Sequence, residues 1–326
     1  MQPPDFWQSG KGGASAVVLS PLGWLYGLAT RAKLATTKAW ESPVPVICIG
    51  NLIAGGAGKT PVALDLAKRL QAKGKYVHFL SRGYGGHEKG PLRVEPENHD
   101  FTRVGDEPLL LAARAPTWVS RERRAGCRAA ARAGADIIIM DDGFQNPYIA
   151  KDFSIIVIDG GYGFGNAKLI PAGPLRETIA GGLARAQAVV VIGEDRTGSM
   201  DLVSRHGHSP LSARLAAGPL PEDIRGKPVV AFTGIGRPDK FFETVTGLGC
   251  IVEAQLPFAD HHPFSEADIK HLRDTANKAD ARLLSTEKDA RRLPASFLSE
   301  VTIIPITLEW ENEEAINTLL GGINHV

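Results

Sequence analysis

The chain has 326 residues, 43% of them hydrophobic and 22% charged, a balance that excludes disorder and leaves room for two domains with real cores. Lys and Arg number 37 against 36 Asp and Glu, a formal net charge of +1, so no global basic field drives nucleic-acid binding and any polyanion site must be local. Three separated cysteines, Cys48, Cys127 and Cys250, with no CxxC pair, suit a reducing compartment and argue against a disulfide framework or zinc cluster; buried structural thiols are expected.

Gly12 to Thr30 carries no charge, is flanked by Lys11 and Arg31, and holds Val17-Val18-Leu19, Leu22, Trp24, Leu25, Tyr26 and Leu28. Four glycines and Pro21 make it a poor spanning helix, and Ser20-Pro21 reads as an N-cap followed by the first helical residue. A helix from about Pro21 to Trp40 is expected, apolar and aromatic first, then basic at Arg31, Lys33 and Lys38. That order suits an interfacial membrane anchor, with a helix packed on its own core as the other reading. A signal peptide is excluded if the glycine-rich loop below uses ATP, which is a cytoplasmic nucleotide.

From residue 45 short apolar runs alternate with helical segments. Strands are predicted at 45–50, 75–80, 117–120, 135–141, 153–159 and 188–193, and helices near 60–73, 106–115, 121–134 and 175–187. Such βαβ alternation implies a mostly parallel sheet. The stretch 194–226 is polar and holds one strand-like piece, Leu211 to Leu215, which suits an interdomain connection. A second alternation follows: strand 228–233, helix 238–248, strand 250–255, helix 265–279, strands 282–285 and 301–306, and a helix near 312–320. The expected division is an N-terminal membrane-interface region, 1–40, a phosphate-loop α/β domain, 41–205, a linker, 206–226, and a smaller α/β domain, 227–326.

Gly55-Gly56-Ala57-Gly58-Lys59-Thr60 sits between the strand at 45–50 and a helix, the context of a phosphate loop. Glycines let backbone N–H groups approach the phosphates, Lys59 is placed to reach the β and γ phosphates, and Thr60 to reach magnesium. Ile53 stands where the standard pattern has Gly, so the match is to the variant GGxGKT loop, and Ile53 to Thr60 form the nucleotide segment. Ala54 stands where related loops carry a lysine used across a dimer, which weakens a dimeric partitioning ATPase; a monomer is expected. The loop needs a carboxylate on a neighbouring strand, and Asp141-Asp142, closing the apolar run Ile137 to Met140, supplies a Walker-B-like pair. Asn277-Lys278-Ala279-Asp280 resembles a guanine motif but precedes a strand instead of following one, so ATP is the expected nucleotide.

A sugar hydroxyl as acceptor needs a carboxylate to orient it or take its proton. Asp106, in Gly105-Asp106-Glu107-Pro108, is the candidate, and an N-cap or first-turn acid is its bland reading. Together GNLIAGGAGKTP (50–61), LSRGYGG (80–86), GDEP (105–108), DDGFQ (141–145), GFGNAKLIPAGPLRE (163–177), FTGIGRP (232–238), FADHH (258–262) and STEKDA (285–290) resemble the tetraacyldisaccharide 4'-kinase family from about residue 20 to 310. The resemblance implies transfer of the ATP γ-phosphate to the 4'-hydroxyl of an acylated glucosamine disaccharide 1-phosphate. It further implies action at the cytoplasmic face of the bacterial inner membrane and two α/β domains with the site between them. It carries the base over to Asp106 and its partner histidine to His261. Arg82, Arg123 and Arg176 become candidates for the substrate phosphate or the transferring group, with Glu177 supporting the metal or the site; structural salt bridges are the other reading for each. Asn166 and Gln145 are weaker candidates, and Thr286-Glu287-Lys288-Asp289 has either a recognition or an interdomain role. The competing functions are a membrane-associated ATPase or GTPase switch and a metallochaperone. A metallochaperone or small-metabolite kinase would need a metal-delivery cysteine motif or a base-specificity motif, and neither is present, whereas a noncatalytic switch predicts hydrolysis without lipid and no role for Asp106 or His261.

Overall fold

A computed structural model describes residues 4–222 and 224–323; the outermost residues of the expected first and last regions, 1–3 and 324–326, lie outside the described residues. In chain order the elements are α1 (Gly13–Thr36), β1 (Val46–Gly50), α2 (Lys59–Ala72), β2 (Val77–Ser81), β3 (Leu92–Arg93), α3 (Phe101–Val104), α4 (Asp106–Ala112), β4 (Thr117–Val119), α5 (Arg123–Arg132), β5 (Ile137–Asp141), β6 (Phe153–Asp159), α6 (Ile179–Leu183), β7 (Ala188–Ile192), α7 (Ser199–Arg205) and β8 (Leu211–Ala217). They continue with β9 (Pro228–Thr233), α8 (Pro238–Gly247), β10 (Ile251–Pro257), α9 (Glu266–Lys278), β11 (Arg282–Thr286), α10 (Glu287–Ala290), α11 (Ala295–Leu298), β12 (Val301–Ile304), β13 (Ile306–Trp310) and α12 (Glu313–Ile323).

The described strands form two sheets. The larger has nine strands in the order β13-β8-β7-β6-β1-β5-β2-β4-β3, parallel except for β3 and β13 at its edges. The smaller has four parallel strands in the order β10-β9-β11-β12. Both sheets are covered on both faces, which is why their strands read as continuous apolar runs. In β1, Ile47 and Ile49 point into a core shared with α2 and α12, while Val46 and Cys48 point into the opposite core with α5. All three cysteines are buried free thiols.

Four expectations need correction. The first helix begins at Gly13, eight residues before Pro21, which lies inside it, and ends at Thr36. Ser20 therefore does not cap; its hydroxyl donates to the Ala16 carbonyl one turn back. A second correction concerns 175–187, where only Ile179–Leu183 is helical. Leu175 and Arg176 are instead extended, because Leu175 bridges Ile53 and the Arg176 amide donates to the Leu52 carbonyl. The supposed strand of the connection is β8, a full member of the large sheet paired to β7. Finally, Pro305 divides the strand expected at 301–306: β12 stays in the small sheet, while β13 crosses back to pair antiparallel with β8. The last helix follows it, and Glu313 of α12 forms an ion pair with Arg69 of α2 at 2.7 Å. Within the region expected at 227–326, β13 and α12 thus pack on the large sheet.

Candidate active site between the two sheets

The strand order places the carboxyl ends of β6, β1 and β5 side by side, where open parallel sheets bind ligands. The loop after β1 is braced from two sides. Ala54 N–H donates to the Pro174 carbonyl at 2.7 Å, and Asn51 Nδ2 donates to the Gly55 carbonyl at 2.9 Å. Gly58 has φ +83°, and a Cβ there would meet Ile192 Cδ1 at 2.5 Å, so only glycine lets the loop turn this close to β7. Lys59 then starts α2, whose N-terminal amides point toward the loop.

Opposite the loop, the β5 end carries the two aspartates. Thr60 Oγ1 donates to Asp141 Oδ2 at 3.3 Å, whereas Asp141 Oδ1 is buried without a hydrogen-bond partner. Burial first, then the charge of Glu107, pushes the Asp141 carboxyl up to about 7. Asp142, at φ +51°, lies 3.7 Å from Lys59 and accepts from Arg176 at 2.9 Å. Burial works to raise its pKa, but Lys59 and Arg176 outweigh it and hold the carboxyl below the usual range. Gln145 ties this group together, accepting from Arg176 at 3.2 Å and donating to Glu177 at 3.1 Å, and the buried Glu177 also pairs with Arg185. Arg123 is buried, donates to the Ser120 carbonyl at 2.9 Å, and is depressed to about 10 chiefly by that burial; Arg82 is exposed. Asn166 stays away from the aspartates and donates to the carbonyls of Phe6 and Ala172, closing a loop beneath α1.

A second carboxylate centre forms where the sheets meet. Asp106, 3% exposed, is the first residue of α4. His261 follows β10, 155 residues away in sequence, and its Nδ1–H donates to both Asp106 oxygens at 3.0 and 2.9 Å. Gly105 makes room for this: at φ +91°, a Cβ there would meet the Tyr84 carbonyl at 2.4 Å, and the Tyr84 ring packs on His261 with centroids 5.4 Å apart. Burial alone would raise the Asp106 pKa, but the His261 hydrogen bond and the Lys288 charge override it and keep the carboxyl below its ordinary value.

A family model described as Tetraacyldisaccharide-1-P 4'-kinase matches residues 15–324. The chain belongs to the tetraacyldisaccharide 4'-kinase family. It is 52% identical over 328 residues to the tetraacyldisaccharide 4'-kinase of Rhodospirillum centenum, covering 99% of this chain and 97% of the relative. It is 51% identical over 323 residues to that of Paramagnetospirillum magneticum, covering 99% of each. Among solved structures, LpxK from Aquifex aeolicus in complex with ATP aligns at TM-score 0.77 and 27% identity, covering 94% of this chain and 99% of that one. The chain is thus a phosphate-loop kinase, with the sheet architecture of that solved relative.

Within this kinase, sequence reasoning missed Tyr84, Glu107, Asp260, Arg185 and Arg292 as neighbours of the named side chains. Only Tyr84, Glu107 and Asp260 lay inside quoted motifs, beside Arg82, Asp106 and His261 respectively. Arg292, beyond the end of the STEKDA motif, carried no local signal.

Proposed function

We propose that this kinase uses Asp106 as the base that takes the proton of the 4'-hydroxyl of a tetraacyl glucosamine disaccharide 1-phosphate as that oxygen attacks the γ-phosphorus of ATP. The new P–O bond forms as the β–γ bond breaks, ADP leaves, and the proton rests on Asp106. His261 Nδ1–H holds the carboxylate oriented, and its hydrogen bond stabilises the ionised form needed at the start. Lys59 neutralises charge on the γ-phosphate, and the loop from Ile53 to Thr60 cradles the phosphates. Magnesium fits here: Thr60, the orphaned Asp141 Oδ1 and nearby Asp142 offer hard oxygen donors, and nucleotide phosphates and water would complete the shell. The ion would supply charge neutralisation as the γ-phosphoryl group moves. Arg176 and Arg123 serve the phosphate groups, and Glu177 fixes Gln145 and Arg185 behind them.

The lipid substrate also supports a role for α1. Gly23 and Gly27 let this helix lie on Leu169, while Val18 is 75% and Trp24 65% exposed on its outward side. A helix seated lengthwise on the protein with an apolar outer face suits the plane of a membrane interface, not a core and not a span. The enzyme would then act as a monomer on the cytoplasmic face of the bacterial inner membrane. Replacing Trp24, Leu25 and Leu28 by Ser should abolish flotation with anionic vesicles while leaving transfer in detergent; flotation at the wild-type level would overturn this part.

The single observation that carries the catalytic reading is the contact between Asp106 and His261 across the two sheets. Transfer to a detergent-dispersed disaccharide precursor tests it in Asp106→Ala, His261→Ala and the double variant. If the two act as a unit, the double variant is scarcely slower than Asp106→Ala. Fully additive losses would sink the pairing.

A further inference from the structure

Asp289, in the STEKDA motif, is entirely buried and accepts from Thr233 Oγ1 and Thr286 Oγ1, each at 2.6 Å, and from Gly234 N–H at 2.9 Å. It also pairs with Arg292 at 2.6 Å, one turn onward. The Arg292 side chain, 1% exposed, spreads its planar fork over two backbone segments, donating to the Gly234 carbonyl at 2.8 Å and the His262 carbonyl at 3.0 Å. Gly234 in turn accepts from the amide of His261, a residue at φ +59°. Arg292 Nε is buried, makes no hydrogen bond, and lies 3.4 Å from Asp106 Oδ2 as an ion pair. Beside it Lys288 Nζ sits 3.9 Å from Asp106, 3.3 Å from Glu107 and 3.7 Å from Asp260.

A buried arginine with an unused donor costs free energy unless its charge has a task. Here two tasks coincide: the fork shapes the turn that delivers His261, and the charge faces the carboxylate that His261 touches. We propose that Arg292 and Lys288 are positioning residues for phosphate transfer, Arg292 splinting the His261 turn and both cations keeping Asp106 ionised from the far side of the cleft. The inference rests on reading Asp106 as the base. Asp106 is faced by His261, Arg292 and Lys288, with Glu107 and Asp260 as the nearby opposing charges. Removing a cation therefore makes the carboxylate easier to protonate.

Turnover against pH, with ATP and lipid precursor varied separately, distinguishes the roles. In Lys288→Met and Arg292→Met, kcat should fall about tenfold or more, KM for ATP should stay within about twofold, and the acid limb of the kcat profile should move toward neutral pH. Arg292→Lys, which keeps a charge and loses the fork, should lower kcat without moving that limb. Lys288 is 21% exposed and outside the Asp289 web, so Lys288→Met decides the matter even if Arg292→Met does not fold. An unmoved acid limb in every folded variant that removes a charge overturns the inference, and so does an unchanged kcat. Asp106→Asn separates the two levels: if it keeps turnover, the base assignment itself fails, whereas if it is inactive and Lys288→Met is normal, only the positioning role fails.

Discussion

Two carboxylate centres face the same cleft and are treated in opposite ways. Asp141, at the end of β5, is buried with one oxygen unpaired and a carboxyl pushed up to about 7. Asp106, at the start of α4, is just as hidden, yet His261, Arg292 and Lys288 surround it and hold its carboxyl below the ordinary value. The difference lies in who provides the countercharge. At Asp106 the second sheet provides it, so the carboxylate is ionised in the protein alone. At Asp141 the nearby Lys59 and Thr60 compensate less than burial and the Glu107 charge oppose, as expected of a group whose further partner arrives with the nucleotide. Strain of this kind tends to sit where function needs it.

The sharpest way to break the comparison is at the cation of the phosphate side. Lys59→Ala removes the lysine that faces Asp142 and starts α2, and Thr60→Ala removes the hydroxyl facing Asp141. On the proposed roles, each should lower transfer by about 10³-fold or more while the protein folds, since both would act on charge developing in the transition state. A folded variant with near wild-type turnover would show that the loop does not serve the transferred phosphate.

Next in size is Asp106→Asn. Asparagine fits the same space but accepts no proton, so kcat should drop about 10²- to 10⁴-fold at saturating ATP and lipid, with a smaller change in KM for ATP. If Asp106 were only a first-turn acid of α4, Asn would keep most of the activity.

How far these two centres were legible in sequence follows from how local each one is. The phosphate loop and Asp141-Asp142 announce themselves because each is a local motif, the glycines just after β1 and the carboxylates at the end of β5, and those two strands are neighbours, with Ile49 paired to Asp141. The helix expected at 175–187 shrinks because its apolar spacing is local, whereas the contacts that pull Leu175 and Arg176 straight come from Leu52 and Ile53, more than a hundred residues earlier. Pro21 misleads because a Ser-Pro pair also fits the start of a helix, whereas here the helix from Gly13 runs through Pro21 and gives up the bond its amide would have made to the carbonyl four residues back. Pairing of Asp106 with His261 came from the family resemblance alone, since no spacing rule links residues 155 apart. Arg292 was invisible, because a buried arginine and a surface arginine look alike in sequence. The return of β13 to the large sheet was likewise hidden, as periodicity gives a strand but not its neighbour.

The smallest expected effect is on stability, and there the two centres should respond with opposite sign. Because the folded-state pKa of Asp141 is raised to about 7, the native protein holds a proton between the ordinary carboxylate value and pH 7 that the unfolded chain has released. Stability therefore declines across that window as pH rises, and the cost is fully present above pH 7. A carboxyl raised that far above its ordinary value costs at most about 4 kcal/mol. Asp141→Asn should accordingly raise the melting temperature of the nucleotide-free enzyme at pH 8 by a few degrees, with the gain fading as pH approaches 4. Asp106, whose folded pKa is lowered, contributes stability that is present above the ordinary carboxylate value and is lost as pH falls through the folded one. Asp106→Asn should thus lower the melting temperature at pH 8, because His261, Arg292 and Lys288 lose their shared anion. If Asp141 holds magnesium as proposed, saturating magnesium and ATP should then erase the advantage of Asp141→Asn, since the ion would supply the wild-type aspartate with its missing partner and stabilise only the form that binds it. Melting curves of the two variants at pH 5 and pH 8, with and without magnesium–ATP, carry the whole test. Shifts of the same sign in both variants at pH 8 would mean that the two carboxylates are not differently compensated.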